Sequence, residues 1–306
     1  MDIVILLVGF SIGLVLLVKG ADEMVSSAVQ IALKFKLPSS IIGATFIGFG
    51  TSAPELFAST GAALKGDLDL GIGNIVGSNI ANSLLVVAVL YLALPKDFSQ
   101  KIKLNQISPV WMAILTTVFV STYVLTNEFP FLLGAVLLIL VIYVIYKMIS
   151  TESVDEGELL GEEKNYIWLR GGLSLFATLY GSQLVVDNAV AIAELFGVSS
   201  LIIGSTIIAI GTSLPEVAGT ISAAKMRKPD IVFGNIFGSN LFNIGLVGAT
   251  AIMISPGEIS SVIDYQLFIM YFVSFIVIFL SRNVIKRNSL LCLLYTSDAA
   301  DELLCV

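Results

Sequence analysis

Nine stretches of this chain are long and apolar enough to cross a lipid bilayer, and nothing else in the sequence constrains the fold as strongly. Hydrocarbon offers the backbone no hydrogen-bond partners, so a spanning segment must be a helix or a strand of a closed barrel. A helix needs about 20 mostly apolar residues to cross roughly 30 Å of hydrocarbon. The runs at 3–31, 39–63, 70–94, 107–126, 130–148, 168–194, 199–224, 231–254 and 265–281 meet that length. With 57% hydrophobic and 13% charged side chains, the composition excludes a soluble globular protein. The expected fold class is an all-α polytopic membrane protein. No basic segment precedes the first run, which therefore reads as a span rather than a signal peptide.

Charge narrows the function classes and sets the orientation. A net charge of −7, with 16 Lys+Arg against 23 Asp+Glu, argues against a nucleic-acid partner. The absence of histidine removes imidazole metal sites and His proton relays. Cys292 and Cys305 are too few for a thiolate cluster. If the N-terminus is outside, 14 of the 16 basic residues fall in inside connections, among them Lys34, Lys36, Lys96, Lys225, Arg227 and Arg282. Such a bias marks the cytoplasmic face. Residues 149–166, rich in Glu and Asp, read as an acidic cytoplasmic linker between a first unit at 1–148 and a second at 167–288. Residues 289–306 hold Asp298, Asp301 and Glu302, too many acids for a span. They are expected to be an aberrant tail standing where a tenth helix belongs.

The two units are copies. Residues 20–82 align without a gap to 181–243 at an offset of 161, and 28 of the 63 columns are identical. Gly50-Thr-Ser-Ala-Pro-Glu55 returns as Gly211-Thr-Ser-Leu-Pro-Glu216. Gly73-Asn-Ile-Val-Gly-Ser-Asn79 and Asn82 return as Gly234-Asn-Ile-Phe-Gly-Ser-Asn240 and Asn243. Five spans make one unit, so the second must enter the membrane from the opposite side. The matched loops carry opposite charge bias, as an inverted-topology duplication requires. The expectation is two inverted five-helix repeats, ten helices in all with the tenth truncated or replaced, and the N-terminus outside.

Glu55 and Glu216 lie inside apolar runs, where a charge costs at least about 2.5–3.5 kcal/mol. A buried ion pair would remove that cost, but the one basic residue inside a run, Lys19, has Asp22 and Glu23 beside it. Two carboxylates at matched positions converge and repel; a cation between them relieves both. Pro54 and Pro215 leave the carbonyls of Gly50 and Gly211 without their helical donors. Broken helices at membrane depth are tolerated where freed carbonyls line a site. Backbone oxygens of Gly48, Thr51, Ala209 and Thr212, with hydroxyls of Thr51, Ser52, Thr212 and Ser213, can complete an all-oxygen cage. That donor set suits hard cations such as Ca2+ and Na+. The glycines at 73, 77, 234 and 238 fit the small-xxx-small rule for close helix packing. Ser78 with Asn82, and Ser239 with Asn243, share a helix face and can turn neutral oxygens to the same cavity. Asp187 and Glu194 read as interfacial, with an entry role as the alternative.

These paired motifs resemble the repeats of the cation/calcium exchanger superfamily, specifically the prokaryotic sodium/calcium exchanger family, over residues 1 to about 288. The resemblance implies ten helices in two inverted repeats, with ion sites formed by the second and third helices of each. It implies a Ca2+ site at Glu55, Glu216 and the carbonyls of Thr51 and Thr212. It implies an outer Na+ site at Ala209, Ser213, Glu216 and Ser239, and an inner one at Gly48, Ser52, Glu55 and Ser78. The middle polar position falls on Asn82 and Asn243. Some relatives, K+-dependent exchangers among them, carry Asp where this chain has Asn243, so the resemblance points away from K+ co-transport. The implied activity is Na+/Ca2+ antiport in the cell membrane, not enzymatic, with no cofactor beyond the transported ions and no obligate protein partner. The alternatives are a proton/calcium exchanger of the same superfamily, an intramembrane hydrolase or a non-transporting scaffold.

Overall fold

A computed structural model describes residues 3–95, 99–101, 107–151, 166–198, 207, 211–281 and 284–286. Helices fill almost all of it, as chains rich in Leu, Val, Ile and Ala must in hydrocarbon. In chain order they are α1 (Ile3–Phe35), α2 (Ser39–Thr51), α3 (Ala53–Leu64), α4 (Leu68–Ala93), α5 (Ile107–Thr126), α6 (Phe131–Thr151) and α7 (Ile167–Leu195). Then come α8 (Leu214–Lys225), α9 (Pro229–Ile254) and α10 (Asp264–Ser281). Seven are long and apolar enough to cross a membrane alone. Helices α2 and α3, bent by 44° at a break at Ser52, are long and apolar enough to do so only taken together.

The expected runs match these helices with shifted ends: α1 continues to Phe35 and α6 to Thr151. Of the run at 199–224, only residue 207 and residues from 211 onward are described, and α8 begins after a break at Thr212-Ser213. Linker residues 152–165 and tail residues 287–306 lie outside the described residues. Two short antiparallel strand pairs were not expected. Strand β1 (Ser99–Lys101) pairs with β4 (Val284–Lys286), and β2 (Glu128–Phe129) with β3 (Gly257–Glu258).

Burial separates the helices into centre and periphery. The apolar window of α9 is 83% buried, whereas those of α1 and α7 are 22% buried. Helices α1 and α7 pack along one another more extensively than any other pair. Small residues allow it: a Cβ on Gly13 would lie 2.9 Å from the Gly181 carbonyl oxygen. Glu23 does not pair with Lys19; its carboxylate meets Arg170 of α7 at 2.5 Å, a correction to the sequence-based expectation. Long-range packing, not chain proximity, chose that partner.

Two apolar clusters flank a polar layer. Helix α4 begins in the first cluster with Leu68, Ile72, Ile75 and Val76, and ends in the second with Val86, Val87 and Leu90. Helix α9 runs the other way, from Ile231, Phe233 and Ile236 in the second to Ile244 and Val247 in the first. Between those segments each helix carries its buried Ser and Asn residues.

Candidate functional site

Proline sets the local geometry at both motifs. Ser52 ends α2 in a non-helical conformation (φ −80°, ψ 1°), and α3 restarts with Pro54 in its first turn. Ser213 adopts nearly the same conformation (φ −92°, ψ 3°) before α8, whose first turn holds Pro215. A proline is tolerated there because the first helical N–H groups have no intrahelical acceptor anyway. Glu55 and Glu216 therefore occupy matching first-turn positions, where the positive helix end favours a carboxylate.

The structure brings most of the expected residues into one buried layer. Thr51, Ser52, Glu55, Ser78, Asn82, Ser213, Glu216, Ser239 and Asn243 are all buried, and Glu55 and Glu216 are only 2% and 1% exposed. Gly48 is buried and Thr212 half-buried, while Ala209 lies outside the described residues. The Ser239 hydroxyl lies 3.3 Å from the Gly48 carbonyl oxygen and 3.4 Å from the Thr51 hydroxyl, which joins the first motif to α9. Ser78 donates to Glu55 Oε1 at 3.3 Å. The side chain of Asn74 donates to Ser59 at 3.0 Å, and Ser59 donates to the Gly71 carbonyl.

The notable atoms are those left over. Glu55 Oε2, both oxygens of Glu216, Ser52 Oγ and Asn243 Oδ1 are buried without a hydrogen-bond partner among the described residues. Buried acceptors are normally satisfied, and a charged one left alone is more costly than a neutral one. Burial strips both carboxylates of water, and Glu55 lies near enough for its charge to oppose a charge on Glu216. No basic group acts on either carboxylate among the described residues. Five oxygens without partners among the described residues, three of them on carboxylates, form a donor set that suits a desolvated cation and that a hydrophobic core cannot use.

A second asparagine pair, not among the expected site residues, holds the layer together. Asn82 donates to Asn240 Oδ1 at 3.2 Å, and Asn243 donates to Asn79 Oδ1 at 3.0 Å. At the 161-residue offset these are the same bond made twice, once from each half. Asn240 also donates to Ser83, whereas the matching Asn79 donates towards Met270 and the Asn240 carbonyl. The signal for Asn79 and Asn240 was present in the repeated motif, three residues before Asn82 and Asn243. The backbone widens into π-helix at Asn82–Val86 and again at Asn243–Gly248, and also at Gly43–Ile47. Such widenings leave carbonyls free of the regular ladder and collect at functional sites.

The repeated glycines behave unequally in their contacts. A Cβ on Gly234 or Gly238 would overlap the backbone of Ser40 or Ala44, so α9 lies against α2 at the distance only glycine permits. At Gly73 and Gly77 no described residue comes within 4 Å of that position. A cavity of about 420 Å³ reaches the second break from the side of α7. Its lining includes Pro54, Gly211, Thr212 and Pro215, with Asp187 and Glu194 along one stripe of α7.

Comparison with known proteins follows this geometry closely. The family described as sodium/calcium exchanger protein matches residues 5–151 and 166–295. The chain is 39% identical over 263 residues to CaxA of Alkalimonas amylolytica, covering 82% of this chain and 81% of that protein. It is 32% identical over 278 residues to the sodium/calcium exchanger MaX1 of Methanosarcina acetivorans, covering 77% and 79%. The solved structure of the sodium-calcium exchanger NCX_Mj superposes with a TM-score of 0.79 at 27% identity, covering 96% of each chain.

Proposed function

Because the chain belongs to the sodium/calcium exchanger protein family, we propose that it exchanges Na+ for Ca2+ across the cell membrane by alternating access, electrogenically and without K+. The observation that carries this reading is the set of unpaired buried oxygens on Glu55, Glu216, Ser52 and Asn243. Ca2+ occupies the centre of that cage, between Glu55 and Glu216 and the carbonyls of Thr51 and Thr212. Na+ ions take the flanking positions, one at Gly48, Ser52, Glu55 and Ser78 and one at Ala209, Ser213, Glu216 and Ser239. Both ions need the same two carboxylates, so they compete, and competition at one site is what couples their opposite fluxes.

Two glutamates balance one Ca2+ or two Na+; a third Na+ leaves one positive charge to move with each cycle. Asn82 and Asn243 are both neutral and bound to Asn240 and Asn79, which leaves no third carboxylate to bind K+. The opposite directions of α4 and α9 through the two cores, and the reciprocal asparagine bonds, support two inverted repeats; the basic residues of the connections support an N-terminus outside. Helices α1 and α7, tied together by Gly13, Gly181 and the Arg170–Glu23 pair, move as one body over a buried centre. The cavity beside α7 is the access path, and Asp187 and Glu194 draw cations into it.

The deciding measurement is 45Ca2+ uptake into proteoliposomes loaded with Na+ and diluted into buffer free of Na+ and K+, beside an arm driven by a pH gradient. Uptake that requires internal Na+ is expected. Uptake driven only by the pH gradient would place the protein in the proton-coupled branch and overturn the proposal.

A further inference from the structure

We propose that Ser182 is a latch that holds one of the two access states, by donating to a backbone carbonyl that the broken helix leaves open. The proposal rests on the alternating-access reading above. Pro215 has no N–H to give the Gly211 carbonyl four residues earlier. Ser182 on α7 supplies the missing donor: its hydroxyl lies 3.2 Å from Gly211 O, buried, across 29 residues of chain. Its neighbour on the same helix, Val186, fills the space that a side chain on Gly211 would need. The peripheral helix α7 is thus docked on the second motif by a hydrogen bond and an apolar contact at one point, at the wall of the access cavity.

At the first motif the Ser52 N–H faces the Gly50 carbonyl, and no side chain among the described residues latches it. Pro54 strips the Gly50 carbonyl in the same way, but the residue matching Ser182 at the 161-residue offset is Ala21, which has no donor. When α1 and α7 move, the Ser182 bond breaks and the other half makes no equivalent. The bond therefore adds to the stability of the described state alone. A neutral hydrogen bond of typical net strength shifts a two-state equilibrium by about fivefold. Among the described residues the Ser182 hydroxyl bonds the Gly211 carbonyl and not the side chain of an ion ligand, so it acts through the position of Gly211, as a positioning residue.

The test uses the full chain with Cys292 and Cys305 replaced by serine and a reporter cysteine at Val190, which lines the cavity. Maleimide labelling of V190C in ion-free detergent reports how often the cavity is open. S182A is expected to slow labelling by up to about fivefold, and S182T to restore it. In proteoliposomes, S182A is expected to weaken apparent Ca2+ affinity on the cavity's face and strengthen it on the opposite face, the two changes multiplying to about fivefold. Labelling of S182A at the wild-type rate would overturn the latch, as would an equal loss of affinity on both faces. If the parent protein shows no Na+-driven exchange, the antiport reading fails, and the labelling result still decides the latch.

Discussion

Glu216 is 1% exposed with neither oxygen hydrogen-bonded, and Glu55 has one oxygen in the same condition. Two such charged groups repel, and Ca2+ bound as proposed would relieve that repulsion. Replacing either by Gln keeps the shape and deletes the charge. E55Q or E216Q is expected to abolish Na+-dependent 45Ca2+ uptake and weaken Ca2+ binding more than the 10–100-fold typical of losing a supporting group. The same variants are expected to melt a few degrees higher than the parent in the absence of cations. Calcium at a hundred times its dissociation constant stabilises the parent by about 2.7 kcal/mol, and this increment should vanish in both variants. Calorimetry with and without Ca2+ checks it; an unchanged increment in E216Q would remove that residue from the site. These two glutamates stand out in sequence because each is a charge inside an apolar run with no basic residue near it. Asn79 and Asn240 stood in the repeated motif but their bonding did not show, and Ser182 gave no signal. An asparagine bound to another asparagine 158 or 164 residues away looks, in sequence, like any polar residue on a helix.

Helix α9 owes its place at the centre to Gly234 and Gly238, where it meets α2 backbone to backbone. G234A or G238A must push the two helices apart, and overpacking of this kind costs about 1–3 kcal/mol. Since the Ser239 hydroxyl approaches both Gly48 and Thr51, the separation also misplaces the first motif. Reduced thermal stability and reduced Ca2+ affinity are expected together in each variant. Gly172 is the control: it is exposed, inside α7, with no described residue near its missing Cβ. G172A is expected to be neutral or to gain up to about 1 kcal/mol, because helical glycine is the more costly residue. Small-xxx-small spacing announced the tight contact, yet it could not say which of four glycines would meet which helix. Nor does apolar periodicity report the π-helical turns at Asn82–Val86 and Asn243–Gly248, since one extra residue in a turn leaves the run of apolar residues intact.

At the scale of the whole molecule, a cycle that moves one net charge answers to membrane potential. Each 100 mV is worth about 2.3 kcal/mol per charge, close to fiftyfold in the Ca2+ gradient at equilibrium. With three Na+ leaving for each Ca2+ entering, inside-positive potential is expected to speed uptake into Na+-loaded vesicles. Indifference to potentials clamped with a K+ ionophore would mean two Na+ per Ca2+ and a silent cycle. The duplication itself is plain from a gapless 161-residue offset, and an odd number of spans per copy makes an inverted second copy the expectation. The pairing of α1 with α7 was not visible, because a lipid-facing helix and a helix-facing one share the same apolar alphabet. That pairing has a consequence for how the chain is made. Helix α7 begins about 130 residues after α1 ends, on the order of 10 s of synthesis. During that interval α1 sits in the bilayer with its glycine stripe covered only by lipid, and Asn79 and Asn82 wait for partners the ribosome has not yet delivered. Neither half can finish folding by itself, so an arrest between them would hand the cell's membrane proteases a fragment with polar groups exposed to oil.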